Sequence, residues 1–141
     1  MSEQQNVALI QSLYDAFGRG DVHHILDRVT EDVEWTLEGP SIIPFAGKRR
    51  GPSEVLGFFQ ALGTTQTNQK LSTETWCSQG DVVSTFGRYA GTVTATGKSF
   101  DTAVAHFFWI RDGKVAKFVD LGDTAAFAEA YTATATASAS A

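Results

Sequence analysis

The stretch A-H-F-F-W-I-R-D-G-K-V-A-K-F-V-D-L-G-D, residues 105–123, decides the fold of this chain. Two apolar runs flank an Asp-Gly pair, a pattern that predicts a β-hairpin with a tight turn. His106 interrupts the first run and Asp120 interrupts the second. A buried polar group without a partner costs roughly 1–3 kcal/mol, and a buried charge costs more. Two such residues on adjoining strands therefore indicate a candidate functional site.

The length of the turn decides whether His106 and Asp120 share a face of the sheet. A three-residue loop, residues 111–113, pairs position 106 with 118 and position 104 with 120. His106 and Asp120 then lie diagonally on one face. A two-residue loop pairs 106 with 119 and sends them to opposite faces. We expect the three-residue loop, because it gathers one pocket wall from Val104, His106, Phe108, Phe118 and Asp120.

Composition limits the class of protein. With 141 residues, 43% of them hydrophobic and 19% charged, the chain suits one globular domain with its own core. A net charge of −5 argues against nucleic acid or an anionic membrane surface as partner. No apolar run approaches the roughly 20 residues of a membrane span, so we expect no membrane partner and a cytoplasmic protein. The single Cys77 fits a reducing compartment, and we expect its thiol to be buried.

The period of the hydrophobic pattern changes along the chain. Residues 3–18, 22–29 and 52–62 have helical spacing, with Gly63 expected to end the third helix. Residues 31–38 alternate like a half-buried strand, and the basic triplet at 48–50 is expected to be a solvated turn. Period-two alternation then predicts four antiparallel strands, and a last helix follows: 71–77, 82–96, 100–110, 115–121, and 124–131.

These elements predict an α+β domain over residues 1–131, in which helices cover one face of a strongly curved, mainly antiparallel sheet. Gly87 and Gly91 lie inside the second of the four strands, where glycine is typical of bends or bulges. Residues 132–141 form a low-complexity tail of Ala, Thr and Ser, to which we assign no function.

Several motifs together resemble the SnoaL-like polyketide cyclases of the nuclear transport factor 2 and ketosteroid isomerase superfamily. The resemblance covers about residues 3–131, and it implies a cone-shaped α+β barrel with an apolar pocket and a homodimer formed through the outer face of the sheet. The motifs are F-G-R-G-D at 17–21, V-E-W at 33–35, G-x-x-x-G-P-x-x-V-x-x-F-F at 47–59, A-H-F-F-W-I-R-D-G-K-V at 105–115 and V-D-L-G-D at 119–123.

The resemblance also implies site residues. The cyclase pattern has a His on the penultimate strand and an Asp fourteen residues later on the last strand, which match His106 and Asp120. Tyr14 lies where these cyclases have a pocket-lining residue on the first helix. The ketosteroid isomerase pattern is broken, because its Tyr, Asp and second acid fall on Leu13, Leu37 and Ala105. Steroid isomerisation is therefore not expected.

Asp120 is the predicted general base, because desolvation in an apolar pocket makes a carboxylate a stronger base near neutral pH. We expect His106 to be a neutral donor that orients this carboxylate or polarises a substrate carbonyl, and Tyr14 to donate to a developing oxyanion. The same residues also fit a satisfied core pair, a bond from Arg88 to Asp120, and an ordinary core tyrosine. The expected substrate-binding residues are Trp35, Phe59, Trp76, Arg88, Phe108 and Phe118.

Three functions fit this pattern. The first is a SnoaL-like enzyme that uses acid–base chemistry on a small apolar or polyketide-like molecule, carbonyl-bearing or cyclic, in an enclosed pocket of about 300 Å³ or more. The second is a limonene-type epoxide hydrolase, in which Arg88 would bridge Asp120 to a second acid. The third is a non-catalytic module for ligand binding or dimerisation. The sequence has no Cys/His ligand set, phosphate-binding Gly loop or nucleophile elbow, so we expect neither a metal nor a cofactor.

Overall fold

The computed structural model describes residues 2–134. The predicted domain, 1–131, lies within this part except for Met1, and residues 135–141 of the predicted tail lie outside the described residues. The elements follow one another along the chain as α1 Glu3–Gly18, α2 Val22–Leu26, β1 Val29–Leu37, β2 Gly47–Arg50, α3 Pro52–Thr65, β3 Gln66–Gln79, β4 Val82–Val93, β5 Ser99–Arg111, β6 Lys114–Gly122 and α4 Thr124–Tyr131.

The six strands found in residues 2–134 form a single sheet in the order β2-β1-β6-β5-β4-β3. All neighbouring strands are antiparallel except β1 and β6, which are parallel. Helix α1 packs against β3 and β4, α3 against β1 and β2, and α4 against β4 and β5. The predicted α+β class, with helices covering one face of a curved and mainly antiparallel sheet, is confirmed.

Helix ends follow local chemistry. Ser2 and Gln5 form the capping box at the start of α1. The backbone N–H of Gln5 donates to Ser2 Oγ at 3.1 Å, and the backbone N–H of Ser2 donates to Gln5 Oε1 at 2.8 Å. Helix α3 continues to Thr65, so the expectation that Gly63 ends it is wrong. The last turn is held by the Thr65 hydroxyl, which donates to the carbonyl oxygen of Ala61 at 2.6 Å.

The basic triplet at 48–50 is a strand and not the solvated turn expected from the sequence. It belongs to β2, the edge strand that pairs with β1 through Trp35 with Arg49 and Glu34 with Arg50. The Arg50 guanidinium also lies 2.7 Å from the Glu34 carboxylate. Cross-strand pairing with opposite charges therefore orders a segment whose composition alone favours solvent.

The turn between β5 and β6 differs from the prediction. Asp112 and Gly113 form a two-residue loop with φ of 52° and 74°, which is typical of a type I′ turn, so the predicted three-residue loop is wrong. A β-bulge follows, because Ile110 pairs with Val115 whereas Trp109 pairs with Lys117. The extra residue on β6 restores the face that the short loop would have reversed. His106 and Asp120 therefore share a face, as predicted, and lie directly opposite each other.

Cys77 is exposed, which contradicts the expectation of a buried thiol. It lies on β3, an edge strand, next to the half-buried Trp76. Because successive side chains of a strand point to opposite faces, the inward position of Trp76 turns Cys77 toward solvent. Among residues 2–134, no helix has the length and apolar character needed to cross a membrane.

At Gly87 the backbone of β4 lies close to the backbone of β3. A Cβ atom at Gly87 would overlap the backbone carbonyl of Ser72, next to the register shift between Thr73 and Thr75. The glycine predicted to mark a bend therefore permits the close approach of two strand backbones.

We predict that Gly87→Ala lowers the free energy of unfolding by about 1–3 kcal/mol or more, because the added methyl group forces the two strands apart. Urea denaturation measures the loss. Gly63→Ala is the matched control, since its Cβ meets nothing within 4 Å and the site is helical; it should gain up to about 1 kcal/mol. Equal stabilities for Gly87→Ala and the wild type would contradict the assignment.

Candidate active site

A cavity of about 70 Å³ lies between the concave face of the sheet and the helices. Its wall is mostly apolar, and the lining residues with polar side-chain atoms are two tyrosines, one histidine, one aspartate and one tryptophan. The lining residues are Leu13, Tyr14, Phe17, Ile25, Trp35, Phe45, Phe58, Phe59, Leu62, Leu71, Tyr89, His106, Phe108, Phe118, Asp120 and Phe127.

The cavity is smaller than the 300 Å³ expected from the sequence. Aromatic rings occupy much of the cone, and they contact one another closely: the Trp35 and Phe118 ring centroids lie 4.1 Å apart, and those of Phe108 and Phe118 lie 4.9 Å apart. Pockets for drug-sized ligands usually measure about 300–1,000 Å³. In this conformation the cavity therefore admits only a small molecule.

His106 and Asp120 meet in the wall of this cavity. Both residues are buried, with exposed fractions of 7% and 9%. Their side chains approach through His106 Nε2 and Asp120 Oδ1, which lie 3.1 Å apart. The approach is too oblique for a hydrogen bond, so Asp120 Oδ1 has no hydrogen-bond partner among the described residues. The Asp120 carboxylate thus lies in the cavity wall with Oδ1 covered by the His106 imidazole.

Tyr14 completes a short polar chain. Its hydroxyl lies 2.5 Å from His106 Nδ1, on the side of the imidazole opposite Asp120. Burial raises the pKa of the Tyr14 phenol well above its ordinary value, and the negative charge of Asp120 adds to this effect. The phenol therefore keeps its proton at neutral pH and can donate it to Nδ1.

A hydrogen bond donated by the Tyr14 hydroxyl would fix the tautomer of a neutral His106. When Nδ1 accepts the hydrogen bond from Tyr14, a neutral imidazole carries its own proton on Nε2, the nitrogen that faces Asp120. The opposite tautomer would place an Nε2 lone pair against the carboxylate, which is repulsive.

Four of the predicted substrate-binding residues line the cavity: Trp35, Phe59, Phe108 and Phe118. Phe118 is the centre of this group, since it pairs across the sheet with Trp35 on β1 and with Phe108 on β5. The register of the three strands thus builds one aromatic wall.

Trp76 does not line the cavity, contrary to the prediction. Its ring packs edge-on against the Tyr14 ring, with centroids 5.5 Å apart and an angle of 85° between the planes. Trp76 lies on β3, the edge strand, and it contacts Tyr14 from there. It can hold Tyr14 in place but does not belong to the cavity wall.

Arg88 is the second wrong prediction among the site residues. Its side chain is exposed on the outer face, and its Nε lies 2.9 Å from Oδ1 of Asp101. Strand alternation explains this, since the neighbouring Gly87 and Tyr89 are buried. Arg88 therefore neither contacts Asp120 nor supplies the arginine bridge that a limonene-type hydrolase needs.

The described residues supply the cavity with neither a second carboxylate nor a cluster of metal-binding side chains. Asp120 is the one carboxylate among the residues that line the cavity. In the same part of the chain, no group of three or more His, Cys, Asp or Glu side chains is arranged to hold a metal ion.

Tyr89 is a cavity residue that the sequence analysis missed. Its hydroxyl donates to Gln66 Oε1 at 2.5 Å and accepts from Gln69 Nε2 at 2.9 Å. Its place in an alternating strand signals a buried face, but only the structure shows that the hydroxyl is already satisfied. The other cavity residues missed are Leu13, Phe17, Ile25, Phe45, Phe58, Leu62, Leu71 and Phe127; most belong to helical apolar stripes that already predicted core positions.

The family model described as a SnoaL-like domain matches residues 10–118 of this chain. No curated protein matches it. Many solved structures do, and one is an NTF2-like protein of unknown function from Burkholderia pseudomallei. That protein is 27% identical, the match covers 94% of this chain and 100% of the other, and the TM-score is 0.85.

Two further structures have the same fold. TerC, co-crystallised with polyporic acid, is 27% identical, with 90% of this chain and 98% of TerC covered and a TM-score of 0.81. A protein from Jannaschia sp., proposed to be a SnoaL-like polyketide cyclase, is 20% identical, with 94% of each chain covered and a TM-score of 0.81. At that identity the second likeness shows the fold alone.

We predict that the free energy of unfolding falls as the pH rises above about 10, where tyrosines of the unfolded chain ionise but the buried Tyr14 phenol does not. Tyr14 binds its proton more tightly in the folded state, so its contribution is complete below pH 10 and is lost above it. Tyr14→Phe should make the slope of unfolding free energy against pH less steep by about 0.7 kcal/mol per pH unit near pH 10, approaching about 1.4 kcal/mol per pH unit at pH 11.

Urea denaturation at a series of pH values between 9 and 11 measures this slope. Trp109→Phe is the control, since Trp109 does not line the cavity, and it should keep the wild-type slope. A Tyr14→Phe slope equal to that of the wild type would contradict the raised pKa.

Proposed function

Because this chain belongs to the SnoaL-like domain family, we propose that it is a small-molecule enzyme of the cyclase or isomerase type, which uses acid–base chemistry without a cofactor. The substrate is an apolar molecule that carries a carbonyl group or is cyclic. One observation carries the proposal: the buried Asp120 carboxylate meets the imidazole of His106 at 3.1 Å in the wall of an otherwise apolar cavity.

Asp120 is the general base of this proposal. Its Oδ1 is buried and receives no hydrogen bond from the described residues. In this proposal the carboxylate takes a proton from the substrate. The proton comes from a carbon next to the substrate carbonyl, and the electron pair of the broken C–H bond moves into the enolate.

His106 and Tyr14 lie in line beside this base. The Tyr14 hydroxyl fixes the imidazole through Nδ1, and the Nε2 proton is left on the side of Asp120 and the substrate. As the reaction moves negative charge from the carboxylate to the substrate oxygen, this N–H can stabilise that charge. The two residues therefore act as a unit with Asp120.

The shape of the cavity limits the substrate. Its volume of about 70 Å³ favours a molecule the size of a single ring. Four of the lining residues are half-buried and so lie nearest the solvent, where movement of their side chains would admit a larger ligand: Tyr14, Phe17, Phe59 and Leu71. A larger, polyketide-like ligand is supported by TerC, which was co-crystallised with polyporic acid.

A second candidate is a ligand-binding module without turnover, and the small cavity favours it. Such a module would bind a cyclic ketone of single-ring size and release it unchanged. Exchange of substrate protons with solvent separates the two candidates, because only an enzyme with a working base accelerates it.

We predict that Asp120→Asn lowers the rate of this exchange by about 10²- to 10⁴-fold, the usual contribution of a general base. The assay follows exchange of the α-protons of cyclohexanone, 2-cyclohexenone and 1,3-cyclohexanedione in D₂O by NMR. Asp101→Asn is the matched control, because Asp101 is an exposed carboxylate paired with Arg88 outside the cavity; it should keep the wild-type rate.

Two results would count against the enzyme. Wild-type rates in Asp120→Asn would remove the base from the mechanism. Binding of these ketones without any exchange above the buffer rate would favour the binding module instead.

We also propose that two copies of the chain associate through the outer face of the sheet. Phe86 and Leu121 are each 45% exposed there. Ala105 pairs with both of them and lies between them in the sheet, so the three side chains form an apolar row across β4, β5 and β6. A second copy would bury this row.

We predict that Leu121→Glu converts a dimer into a monomer, because it places a charge in the row. Size-exclusion chromatography with light scattering measures the mass. Ile42→Glu is the matched control, since Ile42 is 44% exposed but lies between β1 and β2, away from the row. A wild-type monomer, or an unchanged dimer in Leu121→Glu, would contradict this interface.

A further inference from the structure

The indole N–H of Trp35 is a buried donor without an acceptor. Trp35 is only 3% exposed, and its Nε1 has no hydrogen-bond partner among the described residues. Folded proteins leave few such groups, and each one calls for a physical explanation. The indole contributes to the wall of the cavity. A ligand that supplies an acceptor would therefore satisfy a group that the protein itself leaves unpaired.

The position of Trp35 relative to Asp120 gives this donor a chemical context. Strands β1 and β6 run parallel, with Trp35 opposite Phe118 and Leu37 opposite Asp120. Trp35 therefore lies on the same face as Asp120, with Cα atoms about 8 Å apart by the spacing of strands and of alternate residues. The Trp35 indole and the Asp120 carboxylate thus lie on the same face of the sheet, and both residues line the cavity.

The aromatic neighbours hold the indole in a fixed orientation. The Phe118 ring centroid lies 4.1 Å from that of Trp35, and the rings of Phe58 and Phe59 lie at 5.8 Å and 5.7 Å. A donor held by such packing needs little reorganisation when a ligand arrives. Tyr89 makes the contrast clear, since its hydroxyl lines the same cavity but already has both a donor and an acceptor.

We propose that the Trp35 indole N–H binds the carbonyl oxygen of the substrate, with the adjacent carbon placed toward Asp120. This inference rests on the proposed function, which supplies a carbonyl-bearing ligand. As the C–H bond breaks, its proton goes to Asp120, its electron pair forms a C=C bond, and the carbonyl π pair moves onto the oxygen. The Trp35 donor then stabilises the negative charge on that oxygen.

The first test uses the wild-type chain labelled with ¹⁵N, in which each tryptophan gives an indole N–H resonance. Cyclohexanone and methylcyclohexane are added in turn, because they have similar size but only the ketone offers an acceptor. We expect cyclohexanone to move the Trp35 indole proton downfield and methylcyclohexane not to do so. Trp76 and Trp109 lie outside the cavity wall, so their indole protons should not move.

Trp35→Phe assigns the resonance and supplies the second test. Loss of the hydrogen bond should weaken cyclohexanone binding by about 2- to 10-fold, from the usual net strength of such a bond. The affinity for methylcyclohexane should stay within twofold. Trp109→Phe is the matched control, since it removes an indole outside the cavity wall, and it should leave both affinities unchanged.

The outcomes separate this inference from the proposed function. If cyclohexanone moves other cavity resonances but leaves the Trp35 indole proton in place, the inference is overturned and the enzyme proposal stands. If the Trp35 proton moves but Asp120→Asn keeps full exchange activity, the inference stands and the base is wrong. If no cavity resonance responds to either compound, the ligand class is wrong and both proposals fall.

Discussion

The β-bulge opposite Trp109 and Ile110 sets the register on which the cavity depends. One extra residue in β6 turns Phe118 and Asp120 toward the concave face, whereas a regular ladder after the two-residue loop would turn them outward. Because β6 also pairs with β1, the same register brings Trp35 against Phe118. A local irregularity of one residue thus determines both the polar and the aromatic parts of the wall.

The cavity combines an apolar lining with a few polar atoms that have different degrees of satisfaction. The hydroxyls of Tyr14 and Tyr89 have partners, whereas Asp120 Oδ1 and Trp35 Nε1 have none among the described residues. Unpaired polar atoms destabilise a folded protein, so their presence in the wall of a cavity points to a ligand that completes them. A purely apolar core would be more stable here. The two unpaired atoms therefore support a ligand-binding site at this cavity.

The sequence by itself determined the class of the fold and the strongest site candidates. The change from helical to alternating periodicity predicted the α+β order, and the motifs around residues 105–123 resembled the family whose model matches the chain. His106 and Asp120 were recognisable because polar residues inside apolar strands need a local explanation. These features depend on neighbours along the chain, and such information is present in any single sequence.

Only the tertiary structure decided how distant segments meet. The bulge after the turn, the parallel pairing of β1 with β6 and the exposure of Arg88 depend on strand contacts that no local pattern specifies. The volume of the cavity depends on how aromatic rings from the helices and strands fill the cone together. Sequence patterns describe the face of one element at a time, whereas register and packing arise from the fit between elements. That fit placed Trp35 on the same face as Asp120 and left Trp76 and Arg88 outside the cavity wall.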